Sequence, residues 1–235
     1  MTQNLTKTLY IITLVVLVTA CTKYGVDGVT PIPKAVDLGI VVNGKNIKWA
    51  SFNLGTSNEC EYGDYYAWGE TSPKLEYTWA TYAYAHANGS EIKITKYYTG
   101  TFLDYWDGIG SPDNKAEFKD YDYVDDAARA KLGGKWRIPT RKEWEKLIGQ
   151  CNWKWTTLNG VSGMLVTASN GSSIFLPASP RDGFGLYWSS SLDKDSPFCA
   201  EGVIIKNDYR YVGYDVNVGS HGRAFGMIIR PVCEE

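Results

Sequence analysis

Apolar and polar positions along most of this chain change over in short runs, each closed by turn chemistry. "GIVV" and "IKWASF" flank Asn43-Gly44, which predicts a two-residue hairpin. "WKWTTL", "GMLVTAS" and "SIFLPAS" read as three more strands, joined at Asn159-Gly160 and Asn170-Gly171. "GLYWSSS", "AEGVIIK", "YRYVGYDVNV" and "RAFGMIIRPV" follow in the same manner, and "YGDYYAWGE" alternates weakly nearer the start. From Thr71 to Tyr123 the pattern dissolves into loops of Tyr, Trp, Asp and Gly.

One stretch keeps a different period. Trp144, Leu147, Ile148 and Cys151 fall at i, i+3, i+4 and i+7, one apolar helical face. Thr140 and Glu143 have the spacing of a capping box, with Pro139 just before the cap, so a helix is expected over about 140–151. Arg141, Lys142, Glu145 and Lys146 take the other faces, and Arg141 and Glu145 stand at a favourable i,i+4 spacing. These charges read as a solvated face with caps rather than a reactive site. "DDAARAKL" (Asp125 to Leu132) adds one or two helical turns, with Asp125 near the start where it suits the dipole. The expected class is α+β, rich in strands, with one main capped helix.

The N-terminal residues carry an address. Lys7 precedes an apolar run from Leu9 to Val18, too short to span a bilayer, where about 20 apolar residues are needed. Val18-Thr19-Ala20-Cys21 resembles the lipobox of bacterial lipoproteins. That resemblance implies cleavage before Cys21, a diacylglycerol on its sulfur and an acylated amine; more than one acyl chain makes such anchoring stable. The expected organisation is a signal peptide over 1–20, an anchor and short tether over 21–35, and one domain over 36–235. An outer-membrane lipoprotein at the cell surface is expected, a periplasm-facing one being the alternative.

Composition narrows the partners. A formal charge of −2 with acids and bases interspersed lacks the basic face that nucleic acid requires. Four cysteines remain beside Cys21, namely Cys60, Cys151, Cys199 and Cys233, with no C-x-x-C spacing and only His86 and His221 as histidines. They are either buried thiols or include a bridge; if one pair forms, Cys151 with Cys233 would join the helix end to the last strand.

"YGDYYAWGE", "DDAARAKLGGKWRIPTRKEWEKLIGQCNWKWT", "SIFLPA", "YWSSS" and "RPV" together resemble the Fibrobacter succinogenes major paralogous domain, abundant in Bacteroidota lipoproteins. That family belongs to the C-type-lectin-like superfamily, on the branch shared with formylglycine-generating enzymes. The resemblance runs from about Val36 to Val232. It implies a C-type-lectin-like fold with a twisted antiparallel sheet, first and last strands close together, and framework roles for Trp136, Arg137, Pro139, Trp144, Trp188, Arg230 and Pro231. Arg137 and Arg230 would then meet buried carbonyls or a carboxylate.

Catalytic constellations are not legible, and the chain is expected not to be an enzyme. Cys199 and Cys233 stand too far apart for the paired cysteines of the formylglycine-generating oxidases. His221 lies in "VGSHGR", read as a Gly-rich turn, without a nucleophile elbow. No cofactor is expected. Asp120, Asp122, Asp125 and Asp126 offer oxygen ligands that suit Ca²⁺, but without EF-hand spacing or a Gly hinge a solvated acidic loop and helix start is the favoured reading.

The densest recognition vocabulary lies between Ile205 and Phe225: Asn207, Asp208, Tyr209, Tyr211, Tyr214, Asp215, Asn217, Ser220 and His221. Tyr with Ser, Asn and Asp gives large amphipathic contact at low entropic cost. The segment also resembles the variable region of diversity-generating retroelement proteins, which ends in a fixed stretch such as "RPV". Tyr209 and Tyr211 would share a strand face with Asn207, and a turn near Val212-Gly213 would give Asp215 and Asn217 a second face. A monomeric, lipid-anchored module for a glycan or protein ligand is the expected function. The alternatives are a formylglycine-generating-like thiol or metal enzyme and a passive envelope or fimbrial component.

Overall fold

Asn43 and Gly44 both take positive φ, 52° and 78°, and so do Asn159 and Gly160, at 50° and 82°. Positive φ at both central residues is what a twisted two-residue hairpin demands, and Asn-Gly tolerates it. These two turns, read from sequence, are therefore present. The computed structural model describes residues 24–193, 195–208 and 213–234, with the backbone alone for 208 and 213–220. Lys7, the apolar run and Cys21 lie outside the described residues.

In chain order the strands and helices are β1 (Ala35–Val42), β2 (Lys45–Ala50), β3 (Tyr65–Tyr66), β4 (Ala85–Asn88), β5 (Glu91–Ile94), α1 (Ala127–Leu132), β6 (Trp136–Arg137) and α2 (Arg141–Gln150). They continue as β7 (Asn152–Leu158), β8 (Val161–Thr167), β9 (Ser173–Pro177), β10 (Phe184–Leu192), β11 (Cys199–Asp208), β12 (Gly213–Gly222), β13 (Met227–Ile228) and β14 (Val232–Glu234). The class is α+β and strand-rich, with mostly antiparallel pairing. Where one twisted sheet was expected, the described strands form four sheets, ordered β1-β2-β14-β6, β12-β11-β10-β13-β3, β4-β5 and β7-β8-β9. β3, β6 and β13 are two residues long, so ladders stop where they end. β14 pairs with β2, which places the last strand beside the first hairpin.

Helix α2 is capped as its sequence requires. Thr140 accepts from the Glu143 amide, and Glu143 returns a bond from the Thr140 amide at 2.7 Å. Its buried face packs Trp144 edge-on against Trp49, with ring centroids 4.6 Å apart, inside a cluster with Leu38, Ile47, Tyr187, Val203 and Val232. A second cluster joins Trp68, Tyr97, Phe118 and Trp188 around α1. Two indoles stitch it. Trp188 Nε1 donates to the Tyr66 carbonyl at 2.7 Å, and Trp68 Nε1 donates to the Ser189 carbonyl at 2.9 Å.

Two arginines complete the frame. Arg137 pairs with Glu143 and Glu234. Arg230, fully buried, donates to Asn53 Oδ1 (2.7 Å), the Ala50 carbonyl (2.9 Å) and the Phe175 carbonyl (2.7 Å). At the other end of the sequence, the segment expected as a tether is held to the domain from Tyr24 onward. Asp27 accepts from Thr30 Oγ1 at 2.6 Å and lies 3.6 Å from Lys131 Nζ of α1. A Cβ on Gly25 would meet the Lys131 carbonyl at 2.1 Å, so only glycine allows this close an approach.

Candidate functional site

β11 and β12 make a ladder of ten residues each, from Cys199↔Gly222 to Asp208↔Gly213, and β12 is the edge of its sheet. The anchoring face of β11 is apolar: Val203 and Ile205 are fully buried in the cluster beneath α2. Glu201 follows the same alternation and is buried against Arg141 at the start of α2. Burial raises the Glu201 carboxyl's pKa, with Arg141 pulling it back down.

Register divides the candidate residues. Tyr214 pairs with Asn207 and Ser220 with Glu201, on the alternation that α2 covers. Asp215 pairs with Lys206 and Asn217 with Ile204, on the opposite alternation. Asn207 is half-buried, and Asp208 is the last residue of β11. Tyr209 and Tyr211, with the expected turn near Val212, lie outside the described residues. His221 stands on β12 opposite Ala200, not in a turn. It is half-buried, edge-on to Trp188 with ring centroids 6.2 Å apart, and its Nε2 is buried without a hydrogen-bond partner among the described residues. Burial lowers its pKa. Glycine explains the difference: a Cβ on Gly202 would meet His221 Cδ2 at 3.0 Å, so Gly202 leaves the space into which the imidazole folds.

The acidic segment has structural employment. Asp126, rather than Asp125, caps α1; its carboxylate accepts from the Arg129 amide at 3.0 Å and the Ile138 amide at 2.8 Å. Asp125 turns the other way, accepting from Tyr97 Oη (2.6 Å), Tyr84 Oη (2.7 Å) and Lys96 Nζ (2.5 Å). Asp120 accepts from the Ala116 and Glu117 amides, each at 3.0 Å. Among the described residues no group of three or more His, Cys, Asp or Glu is placed to hold a metal ion. Cys60, Cys151 and Cys199 carry free thiols, so the Cys151–Cys233 bridge is not formed. Cys151 packs against the cluster beneath α2, while Cys233 follows Val232 and so faces the other side of its sheet.

A cleft of about 390 Å³ opens in the segment between Thr71 and Tyr123, where sequence shows only loops. Trp79 comes from a 3-10 turn (Trp79–Thr81), and Ser90, Glu91 and Ile92 come from the β4–β5 hairpin. Asp104 and Tyr105 come from a second 3-10 turn (Leu103–Tyr105), and Phe198 precedes β11. Phe198 is the centre of the ring set. Trp79 meets it at 6.0 Å and 87°, and Tyr105 at 5.1 Å and 76°. Arg223, fully buried, holds this region to the sheet. It donates to the Pro197 carbonyl (3.0 Å), the Lys96 carbonyl (2.8 Å), the Tyr97 carbonyl (3.0 Å) and Tyr82 Oη (3.0 Å), and lies 4.9 Å over the Trp68 ring.

No family model, curated protein or solved structure matches this chain.

A second cleft, of about 260 Å³, lies over the start of α2 among Lys45, Lys119, Lys142, Arg137, Glu117 and Glu234. Lys45 pairs there with Glu234 at 2.6 Å and Lys119 with Glu117, while Lys142 donates to the neutral Asn43 Oδ1 at 2.9 Å. Sequence reasoning missed Asp104, Tyr105, Phe198 and Arg223, and had Trp79 only inside an aromatic-rich loop. The β4–β5 hairpin was missed as well, although the alternation of Ala85, Ala87, Ile92 and Ile94 about Gly89-Ser90 is a signal for it.

Proposed function

We propose that this chain is a lipid-anchored, non-enzymatic binding module of the cell envelope, with a C-type-lectin-like domain that takes a glycan or protein ligand at its β11–β12 hairpin. The carrying observation is the register of the edge strand, which sets Asp215 and Asn217 opposite Lys206 and Ile204, away from the face under α2. The ladder is made by backbone groups, so side chains at these positions can change while the sheet persists. That separation of frame from contact residues suits a diversified receptor or adhesin, and it is compatible with the fixed "RPV" end, where Arg230 is locked into the core.

The test is a glycan and protein array probed with the full chain, then two double variants, Tyr209→Ala with Tyr211→Ala and Asp215→Ala with Asn217→Ala. A hot spot costs about 2 kcal/mol or more on truncation, so roughly thirtyfold weaker binding is expected at unchanged melting temperature. Binding untouched by both pairs, or tracking only the folded fraction, would move the site elsewhere. Changing Cys60, Cys151, Cys199 and Cys233 to Ser should leave ligand binding intact; a turnover lost with the thiols would support an enzyme instead.

A further inference from the structure

We propose that the cleft around Phe198 binds an alkylated ammonium group, as a site separate from the β11–β12 hairpin tip. Phe198 adjoins Cys199, the first residue of β11, at the opposite end of the ladder from the Asp208↔Gly213 pair. Ten residues at about 3.3 Å each keep the two apart.

Three aromatic rings line the cleft, with Trp79 and Tyr105 both steeply inclined to Phe198. Aromatic faces carry negative potential and attract cations, most strongly where the cation is partly desolvated. The charged residues in the lining are Glu91 and Asp104, both exposed carboxylates, and among the described residues no Lys, Arg or His lines it. Lys93 forms an ion pair with Glu91 at 3.5 Å from outside the lining, both side chains in solvent, where such a pair neutralises little. Rings and carboxylates thus place negative potential in the same space. A neutral sugar could stack on the rings but would leave that potential unanswered. A bare ammonium or guanidinium would need several acceptors, and Ile92, Trp79 and Phe198 offer apolar surface instead. An alkylated ammonium combines charge with an apolar shell, which fits both parts of the lining. The volume, about 390 Å³, lies within the range of about 300–1,000 Å³ usual for small-ligand sites.

The probes are tetramethylammonium and choline, titrated into the purified full chain at low ionic strength, followed by calorimetry and tryptophan fluorescence. Saturable binding is expected, weakening as salt is raised. Tyr105→Ala, at a ring already 44% exposed, should weaken it about tenfold or more while circular dichroism stays unchanged. The pair Glu91→Gln with Asp104→Asn, on exposed carboxylates, should do the same and flatten the salt dependence. 3,3-Dimethylbutan-1-ol, choline's uncharged isostere, should bind at least about tenfold more weakly than choline itself. Competition by phosphatidylcholine vesicles or by a trimethyllysine peptide then separates a lipid from a protein source. Equal affinity for the uncharged isostere would reduce the cleft to an apolar slot. Saturation by neutral oligosaccharides without the ammonium probes would make it a sugar platform, and no saturation in a folded chain would also overturn the proposal.

Discussion

Arg137 and Glu143 meet through two hydrogen bonds, Nη1 to Oε2 at 2.8 Å and Nη2 to Oε1 at 2.5 Å, with both side chains buried. The same carboxylate caps α2 through the Thr140 amide, and the same guanidinium reaches Glu234 on β14. One ion pair thus ties β6, α2 and β14. Removing one partner of a buried pair leaves the other uncompensated, at a cost of about 3–5 kcal/mol. Glu143→Ala should lower the urea midpoint accordingly. Glu143→Gln, which retains an acceptor for the Thr140 amide, should lose less.

Trp144 lies fully buried between Trp49 and Tyr187, and its Nε1 donates to the Trp188 carbonyl at 3.2 Å. Trp144→Ala should destabilise the fold by about 3–5 kcal/mol, through lost apolar burial and the cavity left behind. Equilibrium unfolding measures this, and a loss under about 1 kcal/mol would contradict the packing described.

Burial raises the Asp126 carboxyl from 3.8 to about 6, with the Ile138 and Arg129 amides pulling the other way. A raised folded-state value means the protonated form is favoured on folding. The stability this contributes is fully present below about 3.8 and is lost as pH rises through about 6. Asp126→Asn cannot ionise. The stability of the wild type minus that of the variant should therefore fall between pH 4 and 6.5 or so, as unfolding at each pH would show.

Gly163 sits in the middle of β8, between Thr156 of β7 and Pro177 of β9. A Cβ there would stand 2.2 Å from the Leu176 carbonyl and 2.8 Å from the Phe175 ring. Gly163→Ala should cost about 1–3 kcal/mol by overpacking, seen as a lower melting temperature. Gly160→Ala differs in kind: it meets nothing within 4 Å and suffers from its φ of 82° alone.

For the proposed anchor, Cys21→Ala should abolish metabolic labelling with palmitate and release the protein from the membrane fraction or stall its precursor. Unchanged membrane partition would exclude lipidation at this residue.

Features set by neighbouring residues were legible in the sequence. The Thr140–Glu143 cap and the Asn-Gly turns depend on residues two to four positions apart, and both stand where the pattern puts them. Features set by distant partners were not. The region from 71 to 123 is organised by Asp113, which accepts from the Tyr97 and Tyr98 amides (each 2.7 Å) and from Tyr121 Oη (2.8 Å), and by Arg223 from far along the chain. No local period announces such bonds. His221 misled for a related reason: flanking glycines read as a turn, whereas across the ladder they face Gly202 and Cys199 and let the strand run on. Of the candidate hairpin, sequence supplied the residues, but only the register divided them between two faces.

Arg230 has a further consequence, for how the molecule comes apart. The three oxygens that receive its hydrogen bonds are neutral and belong to segments around Ala50, Asn53 and Phe175, and burial draws its pKa down to about 10. At neutral pH it still carries its charge. Detaching any one of these segments strands part of a cation in apolar surroundings, a state costlier than leaving the whole seam wet. The β1–β2 hairpin and the β7–β9 sheet are therefore released together, and amide hydrogens on either side should exchange as one cooperative unit.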